Sequence, residues 1–192
     1  MIMTSEEKSL LRKEAKTAIS SLTDEYITIS NKGIYERVIS SAQFIDAKKI
    51  MIYYSIDREP ATHDIAKIAL DMGKTVAFPL CYSMGIMDAR IVSNLADFST
   101  SVSVIGIPSP PETSPIIPPE ELDLILVPAL AYDLNGYRLG LGGGYFDRFL
   151  QGLPAYTIGL ARERLIRDIL PTEPHDVPVN CIVTEEKVRI LN

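Results

Sequence analysis

Helical and strand-like segments alternate along this 192-residue chain, and the alternation predicts an α/β fold of three layers, a mostly parallel sheet with helices on both faces. Three observations carry that prediction. Apolar residues recur at helical spacing behind capping residues in the first forty positions. Mostly apolar runs, above all 49–56 and 122–127, have the length and composition of buried strands. A glycine-rich segment, 136–150, directly follows the second run, and the carboxyl ends of strands are where such sheets carry their ligand sites.

The elements follow in order. Thr4-Ser5-Glu6-Glu7 reads as a capping box, with Thr4 as N-cap and Glu7 three residues on, ahead of Leu10, Leu11, Ala15 and Ala18; a first helix is expected from about Ser5 to Ser21. Thr23 is suited to cap a second helix through Ile27, Ile34, Val38 and Ile39, whose middle is weakened by Thr28, Ile29 and Gly33. Lys49 to Ile56 reads as a strand, Thr62 opens a helix bearing Ile65, Ile68, Ala69 and Met72, and Lys74 to Leu80 returns as a strand. Gly85 to Val92 and Leu122 to Val127 are further strands, the latter closed by Pro128. Between them Pro108, Pro110, Pro111, Pro115, Pro118 and Pro119 crowd a twelve-residue stretch. It is expected to lack regular structure and to connect parts of one domain spanning residues 1–192. Tyr145 opens a helix, Tyr156 to Leu160 is a strand, a short helix passes through Leu165 and Ile166, and Cys181 to Thr184 is the last strand.

Composition narrows the classes of function. A net charge of −6 argues against general nucleic-acid binding, whose affinity comes mainly from neutralised phosphates. No run of eighteen apolar residues occurs, and 1–8 lacks the apolar core of a signal peptide, so no membrane span is expected and a cytoplasmic location is the default. Cys81 and Cys181 lack metal spacing, and His63 and His175 are the only histidines, so the cysteines read as buried thiols. An anionic ligand must therefore find a local cluster: Lys8, Arg12, Lys13 and Lys16, or Arg138 with Arg148 around the glycines.

Gly140, Gly142, Gly143 and Gly144 tolerate positive φ and leave backbone N–H groups unobstructed, as an oxyanion cradle requires, and a helix opening at Tyr145 adds the positive end of its dipole. In a helix interior such glycines would cost about 1 kcal/mol each against alanine. The segment is neither a Walker loop, because Tyr145-Phe146 follows Gly144 where Lys-Ser or Lys-Thr is needed, nor a dinucleotide fingerprint, whose sixth position counted from Gly140 falls on Tyr145. Two readings stand on the glycines alone, an anion cradle and a plain connecting turn. Asp147 is equally open. A carboxylate 4 Å from a phosphate charge costs about 4 kcal/mol at an effective dielectric of 20. Either Mg²⁺ bridges the two, or Asp147 serves the helix N-terminus or pairs with Arg148.

The run 126–133 followed by Gly136-Tyr137-Arg138-Leu139-Gly140-Leu141-Gly142-Gly143-Gly144-Tyr145-Phe146-Asp147-Arg148 resembles the 5-formyltetrahydrofolate cyclo-ligase family, also called methenyltetrahydrofolate synthetases. The similarity continues in order through Lys8-Ser9-Leu10-Leu11-Arg12, Glu59-Pro60-Ala61-Thr62, Pro79 followed by Met87, and His175-Asp176-Val177-Pro178 leading into 182–185. The resemblance implies a fold of the ribose-phosphate isomerase and CoA-transferase type. It also implies an ATP- and Mg²⁺-dependent closure of 5-formyltetrahydrofolate to 5,10-methenyltetrahydrofolate, with ADP and phosphate released. By the same resemblance Lys8, Arg12, Arg138, Gly140, Leu141, Gly142, Gly143, Gly144, Tyr145 and Phe146 bind ATP, and Asp147 and Asp176 hold Mg²⁺. Tyr54, Glu59 and Tyr145 contact the reduced folate, with Arg138 and Tyr145 as the catalytic residues. The implied partners are these two small molecules, with no nucleic acid or membrane, and the implied state is monomeric. Phosphoryl transfer is chiefly positioning and charge stabilisation, consistent with a site that is cationic and glycine-rich and has no nucleophilic triad.

Some positions depart from the family pattern. Ser109 precedes Pro110 where relatives often carry glutamate, Phe146 replaces a tyrosine, Asn180 replaces an aspartate and lowers the charge expected near the metal, and Pro60-Ala61 replaces valine-aspartate. The last departure motivates a second reading, the same ATP site with a thiamine-related substrate. A third reading, a non-catalytic sugar-phosphate sensor, normally carries a DNA-binding helix-turn-helix, which this sequence does not display.

Overall fold

The computed structural model describes residues 5–100, 103–104 and 106–191. Thr4, the expected N-cap of the first helix, lies outside them. Helix α1 runs Ser5–Ser20 and α2 runs Asp24–Ile39, the latter capped by Thr23, whose hydroxyl accepts from the Tyr26 N–H at 3.2 Å. The weak middle of α2 has a packing reason. A Cβ on Gly33 would come within 3.0 Å of both Cβ and the carbonyl oxygen of Glu185, so glycine lets the helix lie directly on the chain there. A short α3, Ala42–Asp46, follows under a Ser41 cap.

Then come β1 (Lys49–Met51), α4 (His63–Asp71), β2 (Thr75–Cys81), β3 (Met87–Val92), β4 (Ile116–Ile117), β5 (Leu124–Val127), β6 (Ala131–Asp133), β7 (Arg138–Leu139), α5 (Tyr145–Leu150), β8 (Tyr156–Leu160), β9 (Ile166–Arg167), β10 (Cys181–Val183) and β11 (Val188–Ile190). The main sheet has eight strands in the order β11-β10-β8-β5-β1-β2-β3-β4. Its centre, β10 through β2, is parallel, and both edges are antiparallel. The alternation of side chains along each strand divides the core into two apolar faces. Ile50, Leu124 and Leu126 join Ile34, Val38 and Ile65 of α2 and α4 on one face. Met51, Ile125 and Val127 join Tyr132 of β6 and Leu150 of α5 on the other. These are the three layers, and no helix among the described residues is long and apolar enough to cross a membrane.

Three expectations need correction. The strand expected over 49–56 leaves the ladder after Met51, with a last bond from Ile52 N–H to the Ala77 carbonyl at 2.8 Å, and 53–62 becomes a loop. Thr62 opens α4 as expected, at its N-cap position and without a side-chain cap bond. Its buried hydroxyl donates to the Tyr53 carbonyl at 2.6 Å and accepts from Ser55 N–H at 3.2 Å, a closer partner than the helix offers. The proline-rich stretch contains β4, which pairs with β3 at the sheet edge, where flanking prolines forfeit no ladder bond. Leu165 and Ile166 do not share a helix. A single 3₁₀ turn, Glu163–Leu165, leads into β9, which pairs with β6 in a separate small sheet, β7-β6-β9.

Candidate active site

The β6–β7 hairpin carries the glycine segment to the carboxyl end of the main sheet. Buried Asp133 shapes it: its carboxylate accepts from the N–H groups of Asn135 (2.9 Å), Tyr137 (3.0 Å) and Leu170 (2.9 Å). The chain then runs through Arg138 into the glycines, with Gly142 at φ +103° and Gly144 at φ +66°. Sterics reinforce the torsions. A Cβ on Gly143 would meet the Tyr145 ring at 2.7 Å, and one on Gly144 would meet Arg148 Nη1 at 2.8 Å. Helix α5 spans six residues, so its dipole contributes less than the cations around it.

These glycines line a cavity of about 410 Å³ that gathers all the residues expected at the site: Lys8, Arg12, Tyr54, Glu59, Arg138, Gly140, Leu141, Gly142, Gly143, Gly144, Tyr145, Phe146, Asp147 and Asp176. Helix α1 reaches it by packing Ala15 against Ala131, Leu139 and Leu170. That docking takes Lys8 and Arg12, four residues apart, off the solvated face that their spacing alone suggests. The Lys8 ammonium meets Glu173 at 2.7 Å and Asp176 at 3.2 Å. Burial pushes the Lys8 ammonium down, but those two carboxylates outweigh it and hold it above its usual range. Arg12 Nε donates to the Gly140 carbonyl at 3.0 Å.

Arg138, 4 % exposed, donates through Nη1 to the Val177 carbonyl at 2.7 Å and through Nη2 to Asp147. Asp147 thus pairs with Arg138 rather than Arg148, whose Nη1 donates to the Gly143 carbonyl at 2.9 Å. Tyr145 is fixed by its hydroxyl, which donates to the Tyr82 carbonyl at 2.6 Å. The turn between β2 and β3 rests on the glycine loop itself: a Cβ on Gly85, at φ +75°, would lie 1.9 Å from Arg148 Nη1 and 2.7 Å from the Gly143 carbonyl oxygen.

The same lining also includes Tyr53, Tyr54 and Glu59. Tyr54 stacks on Phe98 with ring centroids 4.7 Å apart and meets the His63 ring edge-on at 4.4 Å. Glu59 Oε2 accepts from Ile56 N–H at 3.0 Å. Burial pushes its carboxyl up to about 7, with Asp57 adding to the rise and the Ile56 bond opposing it. Cys81 lines the same cavity, and burial raises its thiol to about 11, so it stays protonated at neutral pH. Cys181 is likewise a free buried thiol.

Carboxylate oxygens are the donors Mg²⁺ takes, and Asp147 and Asp176 supply them within one lining. The residue set therefore fits the ion by donor chemistry. Glu173 and His175 bring further ligand atoms within 4.8 Å of those of Asp176. Asn180 lies elsewhere. Its side-chain oxygen accepts from the Thr157 N–H and hydroxyl, both at 2.8 Å, at the start of β8. Sequence reasoning missed Tyr82, Glu173 and Arg162, which act by contacts that no local pattern encodes.

Comparison with known proteins agrees with this geometry. Residues 4–185 match the model of the 5-formyltetrahydrofolate cyclo-ligase family. A probable 5-formyltetrahydrofolate cyclo-ligase of Caenorhabditis elegans is 31% identical over 206 residues, covering 97% of each chain. The 5-formyltetrahydrofolate cyclo-ligase of Haemophilus influenzae is 27% identical over 181 residues, covering 92% of this chain and 97% of its own. The solved structure of 5,10-methenyltetrahydrofolate synthetase from Aquifex aeolicus superimposes with a TM-score of 0.83 at 30% identity, covering 96% of this chain and 93% of that one. With its glycine loop, its cation cluster and this near full-length match, the chain belongs to the 5-formyltetrahydrofolate cyclo-ligase family.

Proposed function

We propose that this chain closes 5-formyltetrahydrofolate to 5,10-methenyltetrahydrofolate at the expense of ATP, releasing ADP and phosphate, and that both substrates share the one cavity. The observation that carries this reading is the cavity's mixed lining: a glycine loop with Lys8, Arg12 and Arg138, suited to phosphates, together with Tyr54 and Glu59, suited to a pterin. A formamide oxygen is a poor leaving group. Transfer of the γ-phosphoryl group to that oxygen makes it a good one; N10 then attacks the formyl carbon, loses its proton, and phosphate departs. Lys8, Arg12 and the 140–144 backbone hold the phosphates, Arg138 stabilises charge on the transferred group, and Tyr145 with Phe146 flanks the junction of the two substrates. Mg²⁺, held by Asp147 and Asp176, supplies charge neutralisation to the phosphates when bound. A cytoplasmic, monomeric enzyme is the matching cellular form.

The test is the appearance of methenyltetrahydrofolate absorbance from 5-formyltetrahydrofolate, dependent on both ATP and Mg²⁺; no product with excess protein would sink the reading. The thiamine-related alternative loses its motive, because Pro60 and Ala61 serve the loop through their backbones: the Pro60 carbonyl accepts from the Tyr53 hydroxyl at 2.8 Å, and Ala61 N–H donates to Asn31 at 3.2 Å.

Glu59 gives the reaction a pH signature. With a carboxyl near 7, above the ordinary 4.5, the folded protein binds more protons than the unfolded chain, so Glu59 costs stability as pH rises through that window. Glu59→Gln is therefore expected to match wild-type stability near pH 4 and to exceed it by about 3 kcal/mol at pH 8, read by urea denaturation. The pterin N–H edge needs the ionised form as acceptor, so the wild-type KM for the folate should rise about tenfold per pH unit below 7. A wild-type profile as flat as that of Glu59→Gln would remove the contact.

A further inference from the structure

The loop that presents Glu59 is stitched at its base by the Tyr53, Ser55 and Thr62 bonds, but its tip is tied down from a distant part of the chain. Arg162, just beyond β8, is fully buried between α2 and this loop. Its Nη2 donates to the consecutive carbonyls of Arg58 (3.0 Å) and Glu59 (3.1 Å) and to Asn31 Oδ1 (3.1 Å), while Nη1 donates to the Ser30 hydroxyl. Among the described residues no other group donates to those two carbonyls. All these acceptors are uncharged, and Arg162 Nε has no partner among the described residues. A buried cation with only neutral acceptors and one orphaned N–H is a poor way to stabilise a core, because the desolvation cost is not returned by an ion pair. What a planar fork does supply is fixed geometry, and lysine cannot reproduce it.

We infer that Arg162 is the positioning residue for the Glu59 contact with the folate: by clamping the carbonyls of Arg58 and Glu59 against α2, it aims the Glu59 side chain at the substrate. Arg162 itself does not line the cavity, so it acts through Glu59, and the inference rests on the folate-binding role proposed for that residue.

Steady-state kinetics of Arg162→Lys, Asn31→Ala and Glu59→Gln test it, alongside amide hydrogen exchange over 56–59. Arg162→Lys is expected to raise KM for 5-formyltetrahydrofolate about tenfold, change KM for ATP by less than about twofold, and speed exchange over 56–59. Asn31→Ala removes the acceptor shared by Arg162 and Ala61 N–H. It should show the same selectivity at about threefold, and it decides the matter if Arg162→Lys fails to fold. Equal rises in both KM values, or an unchanged folate KM where Glu59→Gln raises it, would overturn the positioning role and leave the contact by Glu59 intact. An unchanged folate KM in Glu59→Gln would overturn both together. If the wild type turns over no folate, exchange still reports on the clamp: faster exchange in Arg162→Lys then leaves the clamp standing and sinks only the substrate, whereas unchanged exchange sinks the clamp.

Discussion

Arg138→Ala is expected to lower kcat about a thousandfold while leaving KM for the folate near its wild-type value. Two losses coincide. The guanidinium would no longer stabilise charge on the transferred phosphoryl group, and Asp147 would lose the partner that orients it in the same lining. Arg138→Lys keeps a charge but cannot span both Asp147 and the Val177 carbonyl, so a loss of about ten- to a hundredfold is expected. Activity of the alanine variant within tenfold of wild type would rule out a catalytic Arg138.

The largest stability effect is expected from a residue outside the cavity. A Cβ on Gly159, at the centre of β8, would lie 2.5 Å from Cζ and 2.8 Å from the hydroxyl oxygen of Tyr132. Tyr132 cannot give way cheaply: it is fully buried, and its hydroxyl donates to the Val127 carbonyl at 2.9 Å. Gly159→Ala should therefore cost about 3 kcal/mol, combining overpacking with a strained or lost buried hydrogen bond, against which the entropic gain of replacing glycine is under about 1 kcal/mol. A shifted urea midpoint at constant slope is the expected readout, and an unchanged midpoint would mean that the ring has room to move. Activity should fall too, since Tyr132 and Asp133 carry the hairpin that holds Arg138.

The sequence revealed most where local physics decides. Periodic apolar residues behind Thr23 form a helix, and Leu124 to Val127, apolar at every position, form a strand buried on both faces. It misled where a remote partner decides. Ile166 pairs with Tyr132, so of two adjacent apolar residues that suit a helical turn Leu165 closes a 3₁₀ turn and Ile166 enters a strand. The site divides the same way. The glycines, Arg138 and Asp147 lie close together in the chain and were legible as a unit. Tyr82 meets Tyr145 across 63 positions, Arg162 meets Glu59 across 103 and Glu173 meets Lys8 across 165, distances over which no spacing rule operates.

That last contact has a consequence for the making of the molecule. Glu173 is made 165 positions after Lys8. At about 5–20 residues per second, α1 waits roughly ten to thirty seconds for the loop that latches it, with the β6–β7 surface under Ala15 also arriving late. A nascent chain can pair β1 with β2 and β5 before the glycine loop is made, whereas β8 and β10 arrive after it, so any ligand of that loop can act only on the later steps of folding.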